Sequence, residues 1–167
     1  MNTFNLPSSL RKTAAAALLM AGVASAPAAV ADMYFGVNAG PMMIDVAGVD
    51  DPTNAGVLIG KEWGVGAGDI GVQAEFTTTI DEGDYYGYDV SIDTQAIFGA
   101  FRTAGPVYLI AKAGLLREEV EIGWVSEDDT GLAAGIGVGF SVGVAQLELE
   151  YTQVEEDVGY LSLGVRF

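Results

Sequence analysis

The chain has 167 residues, a formal net charge of −16, and neither cysteine nor histidine. This charge argues against nucleic acid as a partner, because phosphate binding needs clustered lysine and arginine side chains. The lack of cysteine excludes a disulfide framework and thiolate metal sites, and the lack of histidine excludes histidine-activated nucleophiles and histidine-bound zinc. We therefore expect neither an enzyme nor a cofactor-binding protein.

The first 31 residues have the composition of a cleavable signal peptide. Arg11 and Lys12 form a short basic region, residues 13–25 are small and apolar, and Ala29-Val30-Ala31 provides the small residues that signal peptidase recognises. The apolar stretch is shorter than the roughly 20 residues that a spanning helix needs. A buried amphipathic helix is the alternative, but the segment has no polar face. Cleavage after Ala31 would leave a single domain, residues 32–167.

The rest of the chain contains eight stretches in which apolar residues alternate with polar residues or glycine, and none has a sustained helical period. Most have about the 9 to 11 residues that a tilted strand needs to cross a bilayer. The pattern predicts an all-β protein, an eight-stranded antiparallel up-and-down transmembrane β-barrel. The predicted strands are residues 33–46, 54–63, 69–80, 88–102, 106–120, 131–142, 145–154 and 158–167.

The connections between these strands alternate in kind. Those after the second, fourth and sixth strands are short and contain glycine but no acidic residue, at residues 64–68, 103–105 and 143–144. Alternate connections of an up-and-down barrel lie at opposite ends, so the pattern predicts the short turns and both termini in the periplasm and the other loops at the cell surface. Those other four loops carry the acidic residues Asp50, Asp51, Asp81, Glu82, Asp84, Glu127, Asp128, Asp129, Glu155, Glu156 and Asp157.

Strand alternation also predicts which side chains face the interior. In the third strand, Val72, Ala74 and Phe76 would face outward, with Gln73 and Glu75 inward. Eight strands leave an interior just wide enough to be filled by side chains. Because unpaired buried carboxylates are costly, some of the predicted acids should be protonated, hydrated or cation-bound. The predicted polar lining, with five acids and two bases, is Glu62, Gln73, Glu75, Asp93, Gln95, Lys112, Glu148, Glu150 and Arg166.

Aromatic residues lie near the ends of the predicted strands. Because Trp and Tyr prefer the two membrane interfaces, this placement predicts two aromatic girdles. The periplasmic girdle would contain Tyr34, Trp63, Phe101, Tyr108, Phe140 and Phe167, and the outer one Phe76, Tyr88, Tyr151 and Tyr160.

The last predicted strand ends on an aromatic residue and has two different faces. Leu161, Leu163, Val165 and Phe167 share one face, and the side chains between them are small or polar. One face suits lipid and the other suits water. Such a strand could also cover the core of a soluble protein. It therefore supports a membrane barrel only together with the pattern of the other strands.

Residues 33–40, 60–63, 73–76 and 163–167 together resemble the small outer-membrane β-barrels of the porin family of Gram-negative bacteria. The domain is similar to the transmembrane domain of OmpA-like proteins. This resemblance implies a place in the outer membrane, in contact with its lipids and lipopolysaccharide. It also implies that the barrel assembly machinery recognises the terminal strand, through Tyr160, Leu161, Leu163, Val165 and Phe167.

Three functions remain open from the sequence. We favour a structural and surface-interaction protein with a filled barrel, because eight strands leave little open bore. The predicted excess of interior acids and the inner glycines favour a narrow, cation-preferring pore instead. A soluble exported ligand-binding barrel would need its apolar face inside.

The acidic loops also leave two interpretations open. Their carboxylates could bind Ca²⁺ or Mg²⁺ and so bridge to lipopolysaccharide phosphates. No segment has the spacing of an EF-hand, and a solvated, repulsive surface is the favoured alternative.

Overall fold

A computed structural model describes residues 33–123 and 125–167, so the predicted signal peptide and its cleavage site lie outside the described residues. Among these residues, no helix is both long and apolar enough to cross a bilayer. This part of the chain forms the strands β1 (Met33–Ile44), β2 (Thr53–Gly64), β3 (Gly68–Asp81), β4 (Gly83–Tyr85), β5 (Tyr88–Thr103), β6 (Val107–Ile122), β7 (Val125–Val142), β8 (Ala145–Glu155) and β9 (Val158–Arg166).

Eight of the strands close into a barrel. They pair antiparallel in the order β3-β2-β1-β9-β8-β7-β6-β5, and the pairing of β3 with β5 completes the circle. The predicted eight-stranded antiparallel barrel is therefore confirmed. The short strand β4 pairs with the start of β5, beyond the point where β3 and β5 separate, and lies outside the barrel wall.

The two ends of the barrel differ as the connections predicted. One end, here called the terminal end, carries Met33, Phe167 and the three short turns. At this end β7 and β8 are joined by two residues, and Gly143 has a φ of +64°. Tight hairpins require positive φ, which glycine adopts without strain. The opposite end, here called the loop end, carries the acidic connections, of which the one between β1 and β2, residues 45–52, is the longest.

The loop end contains more strand than the sequence predicted. The expected long acidic loop after the fifth predicted strand is wrong, because β6 and β7 remain paired as far as Ile122 and Val125. Glu127, Asp128 and Asp129 therefore lie in β7. Above a membrane, water can cover both faces of a hairpin, so charged side chains do not interrupt the ladder of backbone hydrogen bonds.

The other acidic connections are also partly strand. Asp81 ends β3, Asp84 lies in β4 and Glu155 ends β8. The remaining predicted loop acids lie between strands, at Asp50, Asp51, Glu82, Glu156 and Asp157.

The barrel has an apolar outside and a largely polar inside. Leu132, Ile136 and Leu109 are 84%, 68% and 65% exposed, whereas Gln73 and Glu150 are buried. Such large exposed apolar side chains around the whole wall are typical of a surface in contact with hydrocarbon. The predicted faces of β3 are confirmed, since Val72 and Phe76 are exposed and their neighbours are buried.

The interior is less uniformly polar than the sequence indicated. Toward the loop end it holds an apolar cluster built around Phe98, Ile92, Met42 and Tyr160, none of which is more than 2% exposed. The predicted girdles need correction for the same reason, because Tyr34, Tyr108 and Tyr160 are buried inside the barrel. Each of these tyrosines lies on the inward-facing phase of its strand, and its hydroxyl has polar partners there.

Candidate functional site

A network of charged side chains crosses the barrel interior near the terminal end. Arg102 of β5 donates from Nε to Oε1 of Glu148 at 2.9 Å and from Nη2 to Oε1 of Gln73 at 3.0 Å. Arg166 of β9 donates from Nη1 to Oε2 of Glu62 at 2.7 Å, and its Nε lies 3.3 Å from Oε1 of Glu148. Nη1 of Arg102 also lies 3.9 Å from Oε2 of Glu62, so the two guanidinium groups share the two carboxylates of Glu62 and Glu148.

Two tyrosines hold this network in place. The hydroxyl of Tyr34 donates to Gln73 at 3.0 Å, and that of Tyr108 donates to Glu148 at 2.9 Å. Both guanidinium groups lie over the ring of Tyr34, at 5.1 and 4.4 Å from its centroid. Tyr34 is in register with Gly60 and Tyr108 with Gly139, and a Cβ at either glycine would collide with the ring. These inner glycines therefore make room for rings.

A second charged group lies one level deeper in the barrel. Nζ of Lys112 is 2.9 Å from Oε2 of Glu75 and 3.0 Å from Oε2 of Glu150. Asn38 donates from Nδ2 to the other oxygen of Glu75 at 2.8 Å. The ammonium group also lies 4.8 Å from the ring centroid of Phe98, which begins the apolar cluster. One lysine thus binds two carboxylates at the boundary between the polar and apolar halves.

A small cluster of uncharged polar side chains fills the space toward the loop end. Thr77 and Thr94 form a hydroxyl hydrogen bond of 2.8 Å. Asn54 donates to the carbonyl oxygen of Ile92 at 2.6 Å, and Thr79 donates to Oδ1 of Asn54 at 2.9 Å. These bonds tie β2, β3 and β5 together across the closure of the barrel.

Seven of the nine side chains predicted to line the lumen belong to these two charged groups. Glu62 is half-buried, and the other six are buried: Gln73, Glu75, Lys112, Glu148, Glu150 and Arg166. The expectation for Asp93 and Gln95 is wrong. Gln95 is exposed on the outer face, and Asp93 accepts a hydrogen bond from the outward-facing Thr78 at 2.9 Å.

Sequence reasoning chose the wrong phase for β5 and so missed Arg102. The residues on the inward phase include Ile92, Phe98 and Arg102, whereas Ile97 is 63% exposed. The sequence does contain a signal for the correct phase. Arg102 lies in the part of β5 that crosses the membrane, where an outward-facing arginine side chain would be unfavourable. With Arg102 inside and Asp93 outside, the two charged groups contain four acids and three bases.

The outward-facing side chains show where the apolar wall ends. On β6 they are apolar from Val107 to Leu115, and the next one is Arg117. Arg117 forms an exposed ion pair with Asp128 at 3.2 Å. Glu118 and everything beyond it on the β6–β7 hairpin therefore lie outside the membrane-spanning part of the barrel.

Glu118 faces other acids at this rim. It is directly opposite Asp129 in the β6–β7 pairing, and it is 5% exposed. Burial raises the pKa of Glu118 to about 7, and the neighbouring carboxylates of Glu155 and Asp129 add to the increase. No group of three or more acidic side chains in residues 33–123 and 125–167 is arranged to hold a metal ion.

Replacement of Glu118 by glutamine should stabilise the folded barrel at about pH 8, by about 1 kcal/mol. A carboxyl with a raised pKa keeps its proton in the folded state where the unfolded chain has lost it, so wild-type stability falls as the pH rises from 4.5 to about 7. The gain should shrink toward zero at the lower end of that window. Urea midpoints across this pH range measure it, and a gain that does not vary with pH would contradict the raised pKa.

The sequence matches the family described as outer membrane protein beta-barrel domain over residues 14–165. No curated protein matches it significantly. Among solved structures, Neisserial surface protein A is 18% identical, with a TM-score of 0.54 over 80% of this chain and 95% of that one. Ail of Yersinia pestis is 17% identical, with a TM-score of 0.55 over 81% and 97% of the two chains.

The N-terminal β-barrel domain of OprF from Pseudomonas aeruginosa is 14% identical, with a TM-score of 0.53 over 80% of this chain and 96% of that one. Similarity at this identity supports the eight-stranded fold alone. The family match covers most of the chain and carries the assignment. The chain therefore belongs to the outer membrane protein beta-barrel domain family and is an outer-membrane protein.

Proposed function

We propose that this chain is a non-enzymatic barrel whose lumen is closed by its own side chains and which acts at the cell surface through its acidic loop end. The observation that carries the proposal is the pair of charged groups around Arg102 and Lys112. Each bridges from one wall to the opposite wall through contacts of 2.9 to 3.0 Å. Ions would have to break these contacts to pass.

The apolar cluster supports closure independently. Phe98, Ile92 and Met42 fill the lumen between the Lys112 group and the loop end. A water-filled pathway would require this cluster to open, and burial of such side chains stabilises each by about 1.5–3 kcal/mol. Polar and apolar barriers thus lie in series along the barrel axis.

The corrected charge count also disfavours the pore. The predicted lining had five acids against two bases, but Arg102 replaces Asp93, so the surplus falls to a single acid. The soluble alternative does not hold, because the family resides in the outer membrane and the large apolar side chains lie outside. Catalysis is disfavoured by the sequence, which has no histidine or cysteine.

The proposed orientation has the terminal end in the periplasm and the loop end at the cell surface. The short turns lie at one end and the acidic connections at the other, and short turns are typical of the periplasmic side. The proposed partners in the membrane are lipids and lipopolysaccharide, with divalent cations as a bridge to the acidic residues. The proposed signal for the assembly machinery consists of the outward side chains Leu161, Leu163 and Val165 of β9, the exposed Phe167 just after it, and the inward Tyr160.

Recording from the purified barrel in a planar bilayer tests the closed lumen. We expect no stable conductance steps, because both charged groups and the apolar cluster would have to open. The triple variant Arg102→Ala with Lys112→Ala and Phe98→Ala serves as a positive control, since it removes a central side chain from each of the two charged groups and from the apolar cluster. Stable cation-selective steps from the wild-type protein would establish the pore instead.

A further inference from the structure

The part of β7 nearest the loop end has a free backbone edge. Residues 125–133 pair with β6 on one side, but pairing with β8 begins only at Ala134. Within the described residues, no other strand pairs with this edge. Nine residues correspond to about 30 Å of strand, and residues 125–132 are all exposed. An unpaired edge of this length can accept an added strand through its backbone groups.

The same hairpin places like charges directly opposite each other. Glu118 pairs with Asp129 and Glu119 pairs with Asp128 in consecutive positions of the ladder. Like charges in such positions repel and destabilise a strand pair. Beyond Leu115, Arg117 is the only base in the described part of this hairpin, and its contact is the exposed ion pair with Asp128. Cationic groups from a binding partner would reduce the repulsion between these paired carboxylates.

One of these carboxyls has an unused oxygen. Glu118 is 95% buried, and its Oε2 has no hydrogen-bond partner in the described structure. The carboxyl points to Asp129 across the ladder and to Glu155 at the top of β8. Because β8 ends at Glu155, the gap between β8 and the free edge of β7 opens directly beside this group. Here Glu118, Asp129 and Glu155 are called the acidic notch.

We propose that the free edge of β7 accepts an extended basic peptide segment as an additional strand, with a lysine or arginine side chain in the acidic notch. The backbone edge supplies hydrogen bonds along the segment, and the notch supplies carboxylates for its cationic side chains. This inference rests on the proposed surface role and names the class of partner for it.

Charge decides between the candidate occupants. A second copy of this chain would bring the same acids, Glu127, Asp128 and Asp129, against themselves. The headgroups of lipopolysaccharide are anionic and would be repelled as well. Only a cationic segment satisfies both the open edge and the unpartnered carboxylate oxygen.

Two synthetic peptides test the proposal on the wild-type barrel in micelles. The first alternates lysine and threonine over nine residues, and the second has the same lysines but proline at every second threonine. We expect the first to bind about tenfold more tightly by fluorescence anisotropy, because proline prevents strand addition while charge is unchanged. Amide resonances of residues 125–132 should shift and gain protection from exchange only with the first peptide. Equal affinity of the two peptides would overturn the proposal.

Variants locate the site. The double variant Glu118→Gln with Asp129→Asn should weaken the first peptide about tenfold, because it removes two of the three notch carboxylates. The control Asp81→Asn with Glu82→Gln removes equal charge elsewhere on the same rim and should change affinity less than about twofold. If both variants weaken binding equally, the attraction is non-specific. Concentration-dependent shifts of residues 125–132 without peptide would indicate a second copy as the occupant.

Failure of these tests is separate from failure of the proposed function. If the barrel binds neither peptide specifically and also does not conduct, the proposed closed lumen stands and only the proposed basic-peptide partner is ruled out. In that case the acids of β7 would serve to protect an exposed edge from pairing. Heat-dependent migration on gels confirms that each variant is folded before it is titrated.

Discussion

Replacement of Lys112 by methionine should destabilise the barrel by about 3–5 kcal/mol. The substitution keeps much of the side-chain volume but removes the only cation within 3.0 Å of Glu75 and Glu150 in the described structure. Two carboxylates would then remain buried without a counter-charge, because the remaining hydrogen-bond donors to Glu75, Asn38 and Gln73, are uncharged. Urea midpoints for refolding into lipid vesicles, followed by tryptophan fluorescence, measure the loss.

Two further variants make this prediction specific to the buried group. Arg117→Met removes an exposed base whose ion pair should contribute less than about 1 kcal/mol. The triple variant Lys112→Met with Glu75→Gln and Glu150→Gln should recover most of the stability, since no charge remains buried there. A Lys112→Met barrel as stable as the Arg117→Met barrel would show that the Lys112 group is hydrated rather than packed.

Replacement of Leu149 by arginine should destabilise the membrane-inserted barrel by about 2–4 kcal/mol. Leu149 faces outward from β8, is 46% exposed, and lies in register with Val138 and Leu163 in the middle of the apolar wall. A guanidinium group there would be placed in hydrocarbon. The same vesicle assay measures the effect.

Depth in the membrane provides the control for this prediction. Ile80 also faces outward, with 52% exposure, but it lies next to the loop end. Arginine at Ile80 should therefore cost about 0–1 kcal/mol. Leu149→Ala separates the loss of volume from the addition of charge. Equal effects of arginine at the two positions would contradict the assignment of the outer wall to hydrocarbon.

Both predictions depend on the division of the barrel into an apolar outer face and an interior in which charged side chains form ion pairs with each other. The lumen network is built from residues far apart in sequence, such as Arg102 with Glu148 and Lys112 with Glu75. Each contact joins strands that are not neighbours in the barrel, so the side chains stabilise the barrel and block its bore at the same time. The proposed function follows from this double role. Because the lumen is closed, we expect the barrel to act through contacts of its loop end with external partners.

Some features of the site were accessible from sequence because strand alternation is local. The alternation of Val72, Ala74 and Phe76 with Gln73 and Glu75 is enough to predict that Gln73 and Glu75 face inward, and both are buried in the structure. Gln95 was misplaced because β5 carries polar residues on both phases near the loop end. There the outward side chains leave the membrane, and polarity no longer distinguishes inside from outside.

The loop end shows a second limit. The short strand β4 pairs with the start of β5 beyond the point where β3 and β5 separate, and this pairing depends on how backbone hydrogen bonds are shared beyond the membrane rim. The same holds for β6 and β7, whose ladder passes through Glu118 and Asp129 despite their charge. A sequence pattern based on alternation of polarity has no signal in a region where both faces are wet.

By itself, the sequence determined the number of wall strands, their antiparallel order and the segregation of the acidic connections to one end, because these follow from a period of two and from the spacing of turns. Only the tertiary structure decided which charged side chains meet in the lumen, that Arg102 completes the network, and that an apolar cluster closes the lumen toward the loop end. It also revealed the free edge of β7. The reason is physical: alternation assigns a side chain to a face, but ion pairs and packing depend on the register between strands and on the distance across the barrel.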